Sequence, residues 1–80
     1  MDSKKYDTEI YNTIRKNIRK YRMKNQMTAA ELAESVDLSH DFIRQIESVK
    51  AQYNFSVETF YKISVALGVS LDMLIEKSEE

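Results

Sequence analysis

From Thr28 to Lys50 the chain runs Thr-Ala-Ala-Glu-Leu-Ala-Glu-Ser-Val-Asp-Leu-Ser-His-Asp-Phe-Ile-Arg-Gln-Ile-Glu-Ser-Val-Lys, and its apolar spacing admits few folds. Leu32, Val36, Leu38, Ile43 and Ile46 supply inward positions at helical intervals on either side of Asp37. Thr28 followed three residues later by Glu31 forms a capping box, and Ser39 stands where another helix starts. Ala33 offers a small side chain where two helices approach. The pattern predicts one short helix running to about Ser35 and a second from His40 to about Ser48, folded together around a tight turn.

The rest of the chain reads as support for that pair. Between about Asp7 and Lys24, Ile10, Ile14, Ile18 and Tyr21 fall on one stripe of an amphipathic helix, with residues 1–13 as its N-terminal extension. Lys16, Lys20 and Lys24 form a second stripe and Arg15, Arg19 and Arg22 a third, so the helix is expected to present cations on its outer faces. Asn25-Gln26 ends it. Phe42 stands out as an exposed exception on the third helix. After a polar connection, Ser56 caps a fourth helix with Thr59 as its box-like partner. Val57, Phe60, Ile63, Ala66 and Leu67 give that helix a buried face, and Gly68 stops it. Ser70 opens a short fifth helix in which Leu71, Leu74 and Ile75 point one way, before an acidic tail, residues 76–80, frays. Tyr53 and Phe55 in the connection either cover the core or form a contact for a partner.

Eighty residues with 42% hydrophobic content, no cysteine, no proline and one glycine describe one all-α domain over residues 1–80, with too little core for a large enclosed pocket. No strand pattern or repeat interrupts it. The lack of cysteine excludes disulfides and thiolate metal sites and fits a reducing compartment. No apolar run reaches the ~20 residues of a membrane span, and Met1-Asp2-Ser3-Lys4-Lys5 lacks a signal-peptide stretch, so a cytoplasmic, nucleoid-associated protein is expected. With one histidine and no glycine-rich phosphate loop or carboxylate pair, no enzymatic activity, metal, cofactor or small-molecule ligand is expected.

A net charge of −1 hides an asymmetry. Residues 1–24 hold eight Lys/Arg against three Asp/Glu, a local +5, whereas residues 25–80 hold four against ten, a local −6. Half of the positive charge lies between Arg15 and Lys24. Such a cluster is either a solvated helix face or the footprint of a polyanion.

Residues from about Ile18 to Leu74 resemble the Cro/repressor-type, Xre-like helix-turn-helix domains of phage repressors and bacterial transcriptional regulators. The matching residues are Thr28 with Glu31-Leu32-Ala33-Glu34, then Ser39, Ile43, Ile46-Glu47 and Lys50. Glu58-Thr59, Lys62-Ile63 and the closing Ala66-Leu67-Gly68-Val69-Ser70-Leu71-Asp72 add an independent match. The resemblance implies a compact five-helix, lambda-repressor-like DNA-binding domain whose helix-turn-helix spans residues 28–48. In such domains the second helix crosses the DNA backbone and the third enters the major groove. Carried onto this chain, the base-reading positions are His40, Asp41, Arg44 and Gln45. Spacing supports the same set, because burying Ile43 and Ile46 leaves these four on the opposite surface. Gln45 can donate and accept in the plane of adenine, Arg44 can reach guanine or phosphate, and His40 can do either, each good bidentate contact discriminating by about 1–3 kcal/mol.

By the same resemblance, DNA-backbone contacts fall to Lys24, Thr28, Ala29, Ser39, Ser48 and Lys50, partly through helix N-terminal amides. Arg22 and Glu47 match a pair that joins the first helix to the third and positions the latter. Three positions depart from the family: Ala29 replaces a phosphate-gripping glutamine, Asp37 a turn glycine, and Val49 another glycine. Asp41 either accepts from cytosine N4, orients Arg44 and Gln45, or is a solvated charge near a helix N-terminus. The implied function is sequence-specific binding of double-stranded DNA by a small repressor acting at an operator as a homodimer, with Met73, Leu74 and Ile75 as the dimer surface. The alternative is a protein-interaction module of the same fold, an antitoxin, anti-repressor or adaptor.

Overall fold

Local chemistry starts and stops each helix. The computed structural model describes residues 3–48 and 55–77, with the side chains of the first helix from Ile10 onward; Val49, Lys50, Tyr53 and residues 78–80 of the acidic tail lie outside the described residues. It comprises α1 (Ser3–Lys24), α2 (Ala29–Ser35), α3 (His40–Glu47), α4 (Val57–Leu67) and α5 (Leu71–Ile75), with no strand among the described residues. Thr28, Ser39, Ser56 and Ser70 each accept the amide three residues ahead, and at α2 the box is reciprocal: Glu31 Oε1 accepts from the Thr28 amide at 2.8 Å. Each such cap contributes about 1 kcal/mol.

Three helices end in the same way. At the ends of α1, α2 and α4 the chain turns left-handed, at Gln26 (φ 57°), Asp37 (φ 60°) and Gly68 (φ 72°). In each turn the next residue's amide reaches back five positions: Met27 to the Arg22 carbonyl, Leu38 to Ala33 and Val69 to Ser64, at 2.9–3.1 Å. These are Schellman closures, and the residues that make the long bond are all apolar and packed against the core, as the motif favours. Only one of the three uses glycine. The tight turn between α2 and α3 is therefore intact with Asp37 at a positive φ where the resemblance implies glycine, and Gln26 takes the same geometry at the end of α1.

The core comprises Ile14, Ile18, Leu32, Ala33, Val36, Ile43, Ile46, Phe55, Ile63, Leu67 and Leu74. Each large member contributes about 1.5–3 kcal/mol by leaving water. Phe55 covers the core, edge-on to Tyr11 with ring centroids 5.3 Å apart. Several expectations change. Helix α1 starts at Ser3, earlier than Asp7, and Ile10 is exposed while Ile14 and Ile18 are buried. Val57 is 79% exposed at the first position of α4: the helix buries its inward face from Phe60 onward, through Ile63, Ser64 and Leu67, one turn beyond Val57. Phe42 is not an exposed exception; it is half-buried against the core.

Two polar side chains of α1 are buried with it. Arg15, 2% exposed, donates from Nη1 to the Ile46 carbonyl at 3.0 Å and to the Gln45 carbonyl at 3.5 Å, gripping the carboxyl end of α3. Its guanidinium also stacks 5.8 Å from the Phe55 ring centre. Asn17, 3% exposed, donates to the carbonyls of Leu74 at 2.7 Å, Glu76 at 2.8 Å and Met73 at 3.4 Å, closing the end of α5. The expectation that Arg15 presents its charge outward is thus corrected: the orphan carbonyls at a helix end attract a buried cation.

Candidate nucleic-acid interface

Helix α3 has two faces. Ile43 and Ile46 lock it to the core, and His40, Asp41 and Arg44 are left exposed on its outer surface with Gln45 half-buried beside them. The four sequence-predicted base-reading residues therefore come together on one side. Asp41 makes no hydrogen bond or ion pair with Arg44 or Gln45 among the described residues, so its carboxylate lies in solvent in the first turn of α3, where the helix amides favour negative charge.

The position of α3 is held from behind by α1. Arg22 grips Glu47 with two bonds, Nε to Oε2 at 2.6 Å and Nη2 to Oε1 at 3.0 Å, while its Nη1 donates to the Met27 carbonyl at 2.7 Å. Both side chains are mostly buried, so one bidentate pair joins the last turn of α1, the loop after it and the last turn of α3. Arg15 adds its grip about two turns earlier on α1. Burial pushes the Arg15 guanidinium below its ordinary pKa, against a smaller upward pull from Tyr11. The carbonyls at the end of α3 compensate that desolvation.

The residues expected to contact a phosphate backbone are more dispersed. Thr28 and Ser39 are exposed N-caps whose hydroxyl oxygens already accept from Glu31 and Phe42 amides, at 3.0 and 3.1 Å, leaving the O–H free to donate outward. Ala29 and Ser48 border an open concavity of about 570 Å³ together with Lys16, Arg19, Arg22, His40, Arg44 and Glu47. Lys24 does not line it: its ammonium lies 5.8 Å from the Tyr21 ring centre, and that of Lys20 lies 5.2 Å from the same ring. The basic stripe of α1 is therefore divided, with Lys16 and Arg19 beside α3 and Lys20 and Lys24 over Tyr21. Sequence spacing identified these cations but not their division, which depends on where Tyr21 packs.

On α5, Met73 and Ile75 are 37% and 40% exposed, but Leu74 is fully buried. Leu74 thus belongs to the core and is removed from the expected dimer surface. No helix among the described residues is long and apolar enough to cross a membrane.

Two short helices at a tight turn, the second with a buried apolar side and an exposed polar one, define a helix-turn-helix domain. The helix-turn-helix family model matches residues 18–74, most of the chain, and the protein belongs to that family, in its Cro/repressor-type, Xre-like branch of DNA-binding regulators. The fold is also similar to the crystal structure of a hypothetical transcription factor, NHTF, from Neisseria, at 21% identity and a TM-score of 0.79 over 88% of this chain and 78% of that one. No curated protein is significantly similar.

Proposed function

We propose that this protein is a sequence-specific double-stranded DNA-binding repressor that occupies an operator as a homodimer. The observation that supports it most is the outer face of α3, where His40, Asp41, Arg44 and Gln45 lie together on a helix gripped from behind by Arg15 and Arg22. A helix so held can present donors and acceptors to base edges without losing much order on binding. The similar fold of a protein described as a transcription factor agrees with this role. Dimerisation through Met73 and Ile75 doubles the number of bases read, with half-sites about 34 Å apart. Action on DNA fits a cytoplasmic, nucleoid-associated regulator that binds its target without chemistry of its own.

Selection from a random duplex pool, followed by binding across a salt series, tests the proposal. A two-fold symmetric site, a steep salt slope and loss of preference in Gln45→Ala are expected. Sedimentation of Met73→Glu is expected to show a monomer with an unchanged fold, since that side chain is outside the core.

One observation favours the alternative of a protein-interaction module: Val57, Tyr61 and Val65 form an exposed apolar stripe along α4. A pool that never enriches, with Gln45→Ala indistinguishable from the parent, would transfer the function to that module.

A further inference from the structure

The concavity between α1 and α3 collects more positive charge than the fold consumes. Lys16 and Arg19 lie three residues apart on one face of α1, and Arg44 and His40 line the opposite wall on α3. Glu47, the one acid among the described residues that line it, has both oxygens engaged by Arg22. Among the described residues the side chains of Lys16, Arg19 and Arg44 have no hydrogen bond or ion pair. Ala29 and Ser48 complete its lining and add no further charge. Three cations around one solvent-filled space repel each other, and an anion seated among them removes that repulsion.

We propose that Lys16 and Arg19 bind a phosphodiester of the DNA backbone, a contact made from α1 beside the outer face of α3. The proposal rests on the DNA-binding function above. Its chemistry follows from position: a helix lying in a major groove about 12 Å wide has a phosphate strand along each flank. Arg44 and His40 belong both to the base-reading face and to the wall of this concavity, so a strand flanking α3 on that side passes Lys16 and Arg19. Backbone contacts of this kind fix the register in which the base-reading side chains meet the bases. Lys20 and Lys24, drawn over Tyr21, take no part in it.

The test compares the parent protein with Lys16→Gln, Arg19→Gln and, as a charge control on the same helix, Lys20→Gln. Each is titrated with the duplex selected by the parent and with a scrambled duplex between 50 and 200 mM salt. All three positions are on the surface of α1, and melting curves verify that the fold is retained. Loss of one phosphate contact is expected to lower the log–log salt slope by about 0.9 and to weaken binding about eightfold at 0.1 M salt, equally on both duplexes. Lys20→Gln is expected to keep the parent slope. Equal slope changes in all three variants, or none in the first two, would overturn the contact while leaving DNA binding by the parent intact. A parent protein that binds no duplex would instead remove the function on which the contact depends. Titration with inorganic phosphate, followed by amide chemical shifts, is expected to show no saturation at low millimolar concentration; tight saturable binding would assign the concavity to a free anion and overturn the duplex contact.

Discussion

Arg15 of α1 donates to the backbone carbonyl of Ile46, 3.0 Å away and out of contact with water, so the last turn of the candidate reading helix is closed by a side chain 31 positions earlier in the chain. Removing that donor leaves a buried acceptor unsatisfied. Arg15→Met, which keeps an apolar stem against Phe55, is expected to cost about 2 kcal/mol, lowering Tm by about 10 °C in a domain of this size. Arg15→Lys, with charge but no planar fork, should recover only part of that loss. Thermal denaturation decides, and a Met variant as stable as the parent would show that the bond adds nothing.

Glu47→Ala is expected to act on recognition as well as on stability. Arg22 would keep its Met27 partner but lose both carboxylate bonds in a mostly buried setting, at a cost of about 2 kcal/mol. The pair also fixes the angle between α1 and α3, so DNA affinity should fall further than the folded fraction does. Binding measured at a temperature where both proteins remain folded separates the two effects; equal losses would refute the positioning role.

The three left-handed helix ends predict a ranking. Gln26→Gly should raise Tm by several degrees, a gain of about 1 kcal/mol, because glutamine has no local means of easing a positive φ. Asp37→Gly should gain less, since aspartate tolerates that region better. Gly68→Ala should lose about 1 kcal/mol through the backbone alone, for an added methyl there meets nothing within 4 Å. Calorimetry on the three variants would expose a failure if Asp37→Gly gained more than Gln26→Gly.

What was legible in the sequence was largely what is local. Thr28 with Glu31, Ser39, Ser56, Ser70 and Gly68 act on amides and carbonyls within a few residues of themselves, so spacing suffices to find them. The outward set on α3 followed from two isoleucines for the same reason. Arg15 and Asn17 were illegible because their partners lie about 30 and 57 positions away, and a helical wheel assigns any polar residue to water. Val57 is illegible for a different reason: a helical wheel records angle but not depth along the axis, and Val57 stands at the first position of α4, before the buried face begins at Phe60. The end at Gln26 carried one usable signal: Met27, apolar immediately after it, occupies the place that Leu38 and Val69 hold after the other two turns.

Asn17 provides a pH-dependent test. Asn17→Ala should cost about 2 kcal/mol by leaving the Leu74 and Glu76 carbonyls without their donor. Asn17→Asp instead sets an acid against carbonyl oxygens, which favour its neutral, donating form and raise its folded-state pKa above about 3.9. Its protonated form contributes stability that is fully present below that unfolded value and is lost as pH rises through the higher folded one. Urea unfolding at pH 4 and pH 7 should therefore show this variant closer to the parent at the lower pH. A constant difference across that interval would argue against contact with the carbonyls.

Arg15 and Asn17 are two residues apart on α1, about 200° around its axis, and each fastens the carboxyl end of a different short helix. Helix α1 is thus a yoke between α3 and α5. In the proposed two-fold assembly through α5, the separation of the paired outer faces of α3 would depend in part on that rod and two of its side chains, so a change in its twist between these positions would re-space both at once.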